Sequence, residues 1–561
     1  MITPFLRKNF PLILVLMAIL AAVPGYIMYY RDNNIVFDIT DLAYDVFQLF
    51  PINSNFEPTR VNLLLNVARF LAPLSLATVL IQGFVSLFSL RFREREISKF
   101  RNHTIVAGDS ENNRKLALNL KSEKKQYVLL QSGNGNEPNS WPDDDLLTLS
   151  VQQYDFHTLK KAGLAKARYL IVSFSKDADS MMLAANLREY LRSEDSHHSL
   201  EIVVLFNNPG WADYSCDLGI TGQISSGFHP NPRLKFRFLN HTDAAVRKVM
   251  LQHAPDIYFP VDSADCNHPG VAVIGWNLVS ERLLLNLARN SHYLNHKKLQ
   301  VHLFADDLAT FAEFSTRYQL DEVIGISQHA YSALAATEHR LPVVYITEQS
   351  DGKLLMILAE LRRCEALSGA TKVVLSDRSD SIARLIREPG HLFVDLSEES
   401  TLFSSLVDES IDRLAQVIHQ EYLNSLPTVN QETPTHRSWE ELPDEIRNRS
   451  RAQADHLWVK LRSLNAEMVP LHEAGETIDI TTDPRFEALS KAEHHRWNAY
   501  MLTTGWKAGE KRDDKRKIHT DIICYDDLSE VKKGYDRNTI RNIPALARAM
   551  NCKIIRSTNT L

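Results

Sequence analysis

The hydrophobic pattern changes character along the chain. Phe10 to Tyr30 carries no charge over about 20 residues, long enough to cross a ~30 Å hydrocarbon core. Val61 to Leu90 is a second such run, broken only by Arg69 near its start and Pro73. After residue 100 these runs give way to short β-branched strands alternating with helical apolar periodicity, the pattern of parallel sheets covered by helices. Beyond residue 440 helical spacing persists, but the sequence becomes dense in aromatics and arginine.

The two apolar runs predict a transmembrane hairpin. The first alone would also suit a cleaved signal peptide; a second span so soon after favours a retained anchor. Arg7 and Lys8 precede the first span, and Arg91, Arg93, Arg95, Lys99 and Arg101 follow the second. The intervening loop sets Arg31 and Arg60 against Asp32, Asp38, Asp41, Asp45 and Glu57, so both termini are expected in the cytoplasm of an inner-membrane, multi-pass protein. Tyr26, Tyr29 and Tyr30 fit an aromatic belt at the outer end of the first span. Ser75, Thr78, Gln82, Ser86 and Ser89 recur at three- and four-residue steps, forming one polar stripe on the second span. That stripe suits helix–helix packing or a wet pore lining. Asp38–Ser54 suits either a short re-entrant pore helix or an ordinary cap, and nothing in it resembles the T-V-G-Y-G potassium filter.

The soluble part repeats itself. Val271–Leu287 aligns with Thr104–Leu120 without a gap, pairing Gly108 with Gly275, Leu116 with Leu283, Asn119 with Asn286 and Leu120 with Leu287. Leu170–Glu189 aligns with Val344–Arg363, and Ile202–Asn208 with Lys372–Arg378. A duplicated α/β fold is predicted, each copy opening on a strand, one glycine and a helix. The boundaries are a hairpin over 1–100, Rossmann-like domains over 101–260 and 261–423, a polar, proline-containing linker over 424–440 and a C-terminal domain over 441–561.

The net charge of −6 over 561 residues, with no dense basic run, excludes a nucleic-acid partner. Five scattered cysteines without a C-x-x-C predict reduced thiols and no zinc site. His494-His495 has no further ligand at useful spacing, so no metal is expected. No catalytic signature occurs, which predicts a non-enzyme.

The hairpin, the basic segment after it, and "YDFHTLKKAGLAKARYLIVSFSKDADSMMLAANL" together resemble the TrkA-N, or RCK, regulatory domains of potassium channels and transporters, over roughly residues 103–420 in two copies. The resemblance implies tandem Rossmann-like folds, pairing of those domains into a ring, and a nucleotide such as NAD, ADP or ATP at the glycine turn. Here the turns are degenerate. Gly108 is followed by Asp109, Ser110, Glu111, Asn112 and Asn113, and Gln131 replaces the acid that would hold a ribose. Gly275 also stands alone, although Asp306 or Asp307 could supply the ribose acid in the second copy. The fold is therefore expected to serve assembly and force transmission, with sensing elsewhere.

Arg485–Met550 resembles the RyR domain of ryanodine receptors and bacterial proteins through Glu493-x-x-Arg496-Trp497, Gly505-Trp506, Arg512-Asp513-Asp514, His519, Tyr525-x-x-Leu528, Asp536-Arg537 and Ile543-Pro544. Thr520 and Cys524 depart from it, where prolines are usual. Trp497, Trp506 and Tyr525 offer faces for stacking a base, and Arg496, Arg512 and Arg537 offer planar forks for phosphate. The same side chains equally suit a packed core with internally paired arginines. Lys507–Lys517 suits a solvated basic loop. The resemblances imply a ligand-gated, channel-like homotetramer in membrane lipid, passing ions when an adenine nucleotide or cyclic nucleotide messenger binds the RyR domain, in the manner of a stress or phage-defence effector. The alternatives are a non-conducting membrane-anchored sensor or scaffold, and a regulatory subunit of a cation transporter.

Overall fold

The computed structural model describes residues 4–53, 61–132, 146–192, 199–211, 234–259, 270–376, 390–396, 412–426, 428–430 and 432–557. The chain divides into two compact units, Met1–Lys99 and Phe100–Leu561.

In the first unit, α1 (Pro4–Asp32) and α3 (Leu63–Lys99) pack along each other, and α2 (Ile39–Gln48) packs on the end of α1. Two stretches, Phe10–Asp32 and Leu63–Ile81, are long and apolar enough to cross a membrane. Small residues let the two backbones approach. Ala18 and Ala22 meet Ala68 and Ala72, and a Cβ on Gly25 would stand 2.8 Å from the Leu65 nitrogen. Asn62, just before α3, ties it to α1 by donating Nδ2 to the Gly25 carbonyl at 2.7 Å. Ser75 is buried within this unit and donates its hydroxyl to the Ala72 carbonyl at 2.7 Å; Thr78, half-buried, donates to the Ser75 carbonyl. The Gln82 and Ser86 side chains lie outside the described residues. Asp38 and Asp41 form a capping box on α2, and the Tyr30 hydroxyl donates to Asp45.

The second unit holds two six-stranded, all-parallel sheets of one topology. The first has the order β3-β2-β1-β4-β5-β6: β1 (Thr104–Ala107), β2 (Tyr127–Ser132), β3 (Thr148–Val151), β4 (Tyr169–Val172), β5 (Leu200–Phe206) and β6 (Leu234–Asn240). The second has the equivalent order β9-β8-β7-β10-β11-β12: β7 (Gly270–Ile274), β8 (Gln300–Phe304), β9 (Gly325–His329), β10 (Val343–Ile346), β11 (Thr371–Ser376) and β12 (His391–Asp395). This 3-2-1-4-5-6 order is the doubly wound Rossmann arrangement. The internal alignment therefore pairs strands that occupy the same place in the two sheets, β4 with β10 and β5 with β11.

The helices of the first copy are α4 (Asn112–Ser122), α5 (Phe156–Lys161), α6 (Asp177–Arg192) and α7 (His241–Gln252), the last of which leaves β6 and packs into the core of the second sheet through Ala245, Val246 and Val249. The second copy follows with α8 (Leu278–Asn290), α9 (Phe311–Arg317), α10 (Leu320–Val323), α11 (Asp351–Arg363) and α12 (Glu365–Ser368). The equivalent helices α4 and α8 differ. On α4 one stripe is buried and Leu118 is 41% exposed; on α8 the matching Leu285 is 2% exposed, and Arg282, Leu283, Leu284 and Leu287 are buried as well. A helix whose apolar residues are buried beyond the stripe facing its sheet needs a second partner.

That partner is C-terminal. After α13 (Arg413–Ser425) come α14 (Asp444–Ser463), β13 (Ala466–Pro470), α15 (Phe486–Thr503), two short paired strands β14 (Lys507–Ala508) and β15 (Ile518–His519), α16 (Glu530–Arg541), α17 (Ile543–Ala549) and β16 (Cys552–Arg556), which pairs antiparallel with β13. Val459 of α14 and Ala499 of α15 enter the same apolar cluster as Leu283, Leu284 and Leu287 of α8. The expected linker is structured where described: short turns occupy Pro434–His436 and Trp439–Glu441, and Arg437 gives its carbonyl to His419.

Both glycines that open the copies are in the left-handed region, Gly108 at φ +123° and Gly275 at φ +108°. A Cβ on Gly108 would fall 1.9 Å from the Ser173 carbonyl oxygen, whereas one on Gly275 would meet the Thr347 hydroxyl at 2.7 Å. Backbone cannot yield as a side chain can. Gly108→Ala is expected to cost about 3 kcal/mol or more and Gly275→Ala less, in denaturant titrations of the two variants.

Candidate functional site

A Rossmann fold binds its nucleotide where the strand order reverses, between the loops that follow the first and fourth strands. Here both crevices are bridged by the chain's own side chains. In the first copy Asp109 accepts from the Ser175 backbone N–H at 2.7 Å and from its hydroxyl at 3.1 Å. Asn113 donates Nδ2 to the Ser173 carbonyl at 2.9 Å. The acid that would repel a pyrophosphate thus holds the β4–α6 loop in place. In the second copy Asn277 caps α8 and donates Nδ2 to the Thr347 carbonyl at 2.7 Å. Trp276 turns away onto Phe311 and Phe314, donating Nε1 to Thr310 at 2.8 Å. Asp306 is exposed and accepts from the Tyr331 N–H at 3.2 Å, while the Tyr331 hydroxyl donates to Glu348. These loops act as clasps.

In the C-terminal region the residues singled out from sequence fall into four groups. Trp497 and Trp506 share His519, each meeting it edge-on, with centroids at 5.0 and 6.0 Å. His494 stacks on Trp497 at 5.8 Å, both of its ring nitrogens facing acceptors, Asp536 and the Ile523 carbonyl. Trp506 is buried beneath the Arg449 guanidinium, 5.8 Å from the ring; Trp497 is half-exposed. Tyr525 and Arg537 meet on Glu487, which accepts the Tyr525 hydroxyl at 2.8 Å and two Arg537 nitrogens at 2.7 and 2.9 Å. Arg537 also binds Glu530. Arg512 stands apart on the exposed loop, paired with Asp514 at 2.7 Å.

Arg496 belongs to a different setting. It is buried and lays its guanidinium on Glu493 at 2.8 and 3.1 Å, while Lys460 of α14 reaches the same carboxylate. Burial would raise the Glu493 pKa, but Arg496 and Lys460 outweigh it and hold the carboxyl well below its usual range. The Glu493–Arg496 spacing of three on a helix could be read from sequence. Lys460 and Glu487 carried no such signal, because their partners come from other elements.

Polar bonds fasten this region to the second sheet. The imidazole Nε2 of His456 lies 3.0 Å from the His292 carbonyl, Arg289 donates Nε to the Thr503 hydroxyl at 3.0 Å, and Arg462 pairs with Asp256. Gln319, held at φ +50°, donates to the carbonyls of Leu502 and Trp506 at 2.8 and 3.1 Å, next to the aromatic cluster. Arg247 of α7 forms a bidentate pair with Asp455 of α14. Burial, reinforced by His495, pushes His292 down to about 3, and burial with His296 alongside pushes His495 down to about 4. Burial and Lys460 likewise depress His456. No group of three His, Cys, Asp or Glu side chains able to hold a metal occurs among the described residues.

Residues 476–556 match the family model of the RyR domain. No curated protein matches the chain. Solved structures with a similar course include the GsuK channel (14% identity, covering 72% of this chain and 99% of that one, TM-score 0.37). GsuK bound to ADP is similar at 14% identity, 73% and 100% coverage and TM-score 0.36. The GsuK channel bound to NAD follows at 12% identity, 87% and 90% coverage and TM-score 0.34. At these TM-scores the likeness carries nothing over to the sites of this chain.

Two outcomes are expected. Glu493→Ala leaves Lys460 and Arg496 buried without their carboxylate and should cost about 3–5 kcal/mol in thermal or denaturant unfolding. His292, His456 and His495 titrate below the ordinary histidine value in the folded state, so their stabilisation is full above pH ~6.5 and lost as pH falls below it. Melting curves between pH 7.5 and 5.5 should show a loss on the order of 1 kcal/mol per histidine at the acid end.

Proposed function

We propose that the chain is a subunit of a ligand-gated, channel-like membrane protein, in which a small nucleotide-like ligand binds the RyR domain and two RCK-like Rossmann domains pass the signal to the N-terminal hairpin. The observation that carries this reading is the seat of α14 and α15 on α8. That helix starts at the Gly275 turn and ends at Asn290, beside the Arg289–Thr503 and His292–His456 bonds. A ligand that reorders the Trp497–His519–Trp506 cluster would act on the α15 C-terminus, whose carbonyls Gln319 already holds. The closed crevices support a division of labour in which the Rossmann copies transmit and the RyR domain senses. Four residues, 100–103, separate α3 from β1, so a displacement of the first sheet has little slack to take up. Gating requires the ligand to prefer one of two states, by about 5.5 kcal/mol for a near-complete switch.

The ring would be a homotetramer in the inner membrane with cytoplasmic termini, and the messenger an adenine nucleotide or cyclic nucleotide released in stress or phage infection. The polar stripe of Thr78, Gln82 and Ser86 would line the pore. A second reading, a non-conducting membrane-anchored sensor or transporter subunit, is favoured by Ser75, whose hydroxyl is engaged within its own helix inside the α1–α3 contact.

Ion flux through liposomes holding the purified protein, with and without adenine and cyclic nucleotides, separates the two. The channel reading expects flux that a ligand switches on, that Trp497→Ala removes, and that Gln82→Leu reduces or alters. No flux under any ligand from folded, inserted protein would leave the sensor reading.

A further inference from the structure

One polar cleft lies outside everything described above. Its walls are Glu201 of β5, Lys235 and Arg237 of β6, Asp412 before α13, Trp439, and Arg447 and Arg451 of α14. Four separate parts of the chain meet there: the last two strands of the first sheet, the residue before α13, the turn that holds Trp439, and the first helix of the C-terminal region. Four cationic side chains face two carboxylates.

Both carboxylates are already engaged. Glu201 accepts from Arg237 at 2.8 Å. Asp412 accepts from Arg451 Nε at 2.7 Å and from Arg247 at 3.0 Å, and these arginines keep it ionised although it is buried. Lys235 stands directly across the strands from Glu201, yet pairs with no carboxylate among the described residues. Lys235 and Arg237 are two apart on β6, so the pleat sends both side chains to the same face. The Arg451 guanidinium lies over the Trp439 ring, 5.8 Å from its centroid, and the half-buried ring packs against the C-terminal apolar cluster. The enclosed space is about 20 Å³, enough for one water or for an oxygen of an anion whose body sits in the mouth.

We infer that this cleft is a phosphoryl-anion site, in which Lys235 supplies a point charge and Arg237, Arg447 and Arg451 around it supply cationic N–H donors. Clustered directional N–H donors favour phosphate over chloride because they can each reach a different oxygen of it. An anion held there would tie β6 of the first sheet to α14, and so brace the C-terminal region against the first Rossmann copy as α8 braces it against the second. The site shares no residue with the aromatic cluster and does not depend on the reading proposed above.

The test uses the full-length protein in detergent at pH 7.5. Its melting midpoint is followed against inorganic phosphate, adenosine monophosphate, and sodium chloride at matched ionic strength. A saturable rise of about 3 °C with phosphate, absent with chloride, is expected. It should vanish in both Lys235→Glu and Lys235→Gln, the second variant removing the charge without adding repulsion. Adenosine monophosphate acting through Lys235 at lower concentration than phosphate would identify a nucleotide as the source; equal concentrations would identify the free anion. Equal shifts with phosphate and chloride, or a full phosphate effect in Lys235→Gln, would overturn the assignment.

Discussion

The arrangement of the second unit depends on α8 being buried on more than the side that faces its sheet. A helix on a parallel sheet ordinarily buries one stripe and gives the other to water, as α4 does on the first sheet. On α8, Leu283, Leu284, Leu285 and Leu287 are all within 2% of complete burial. Each buried leucine contributes roughly 1.5–3 kcal/mol, so leaving the outer ones in water would forfeit several kcal/mol. Val459 and Ala499 cover that side, which makes the C-terminal region part of the fold of the second Rossmann copy.

Once that apolar contact is made, the polar groups at its edge must find partners. His456, Arg289, Gln319 and Arg462 each cross the boundary to a carbonyl, hydroxyl or carboxylate. Buried polar groups without such partners would cost more than the contact gains. The Lys460–Glu493–Arg496 cluster stiffens the α14–α15 pair behind them. The glycine turns fit the same picture, because Asp109, Asn113 and Asn277 tie the loops after the first and fourth strands of each sheet together with protein hydrogen bonds.

Much of this was legible in the sequence. Duplication showed in ungapped identities around Gly108 and Gly275, and the two sheets share one strand order. The extra partner of α8 was legible too, though only by contrast. Where the first copy reads Leu116-Ala117-Leu118, the second reads Leu283-Leu284-Leu285, and the position that is 41% exposed as Leu118 is 2% exposed as Leu285. The site was harder to read. Residue type nominated Trp497, Trp506, Tyr525 and three arginines as one set, but spacing along a chain does not say which carboxylate meets which guanidinium. Glu493, three residues before Arg496, and Glu487, which carried no such signal, divide it into separate networks. Trp439 fell in a stretch that reads as linker, where polar composition hides one packed aromatic.

The central claim is that the C-terminal region and the second Rossmann copy form one cooperative body. Native-state hydrogen exchange of the full-length protein tests it most directly. If the account holds, amides of α8, α14 and α15 open together, with one free energy and one denaturant dependence. If α14 and α15 exchange through a separate, lower-energy opening while α8 stays protected, the seat on α8 is not what holds the region in place.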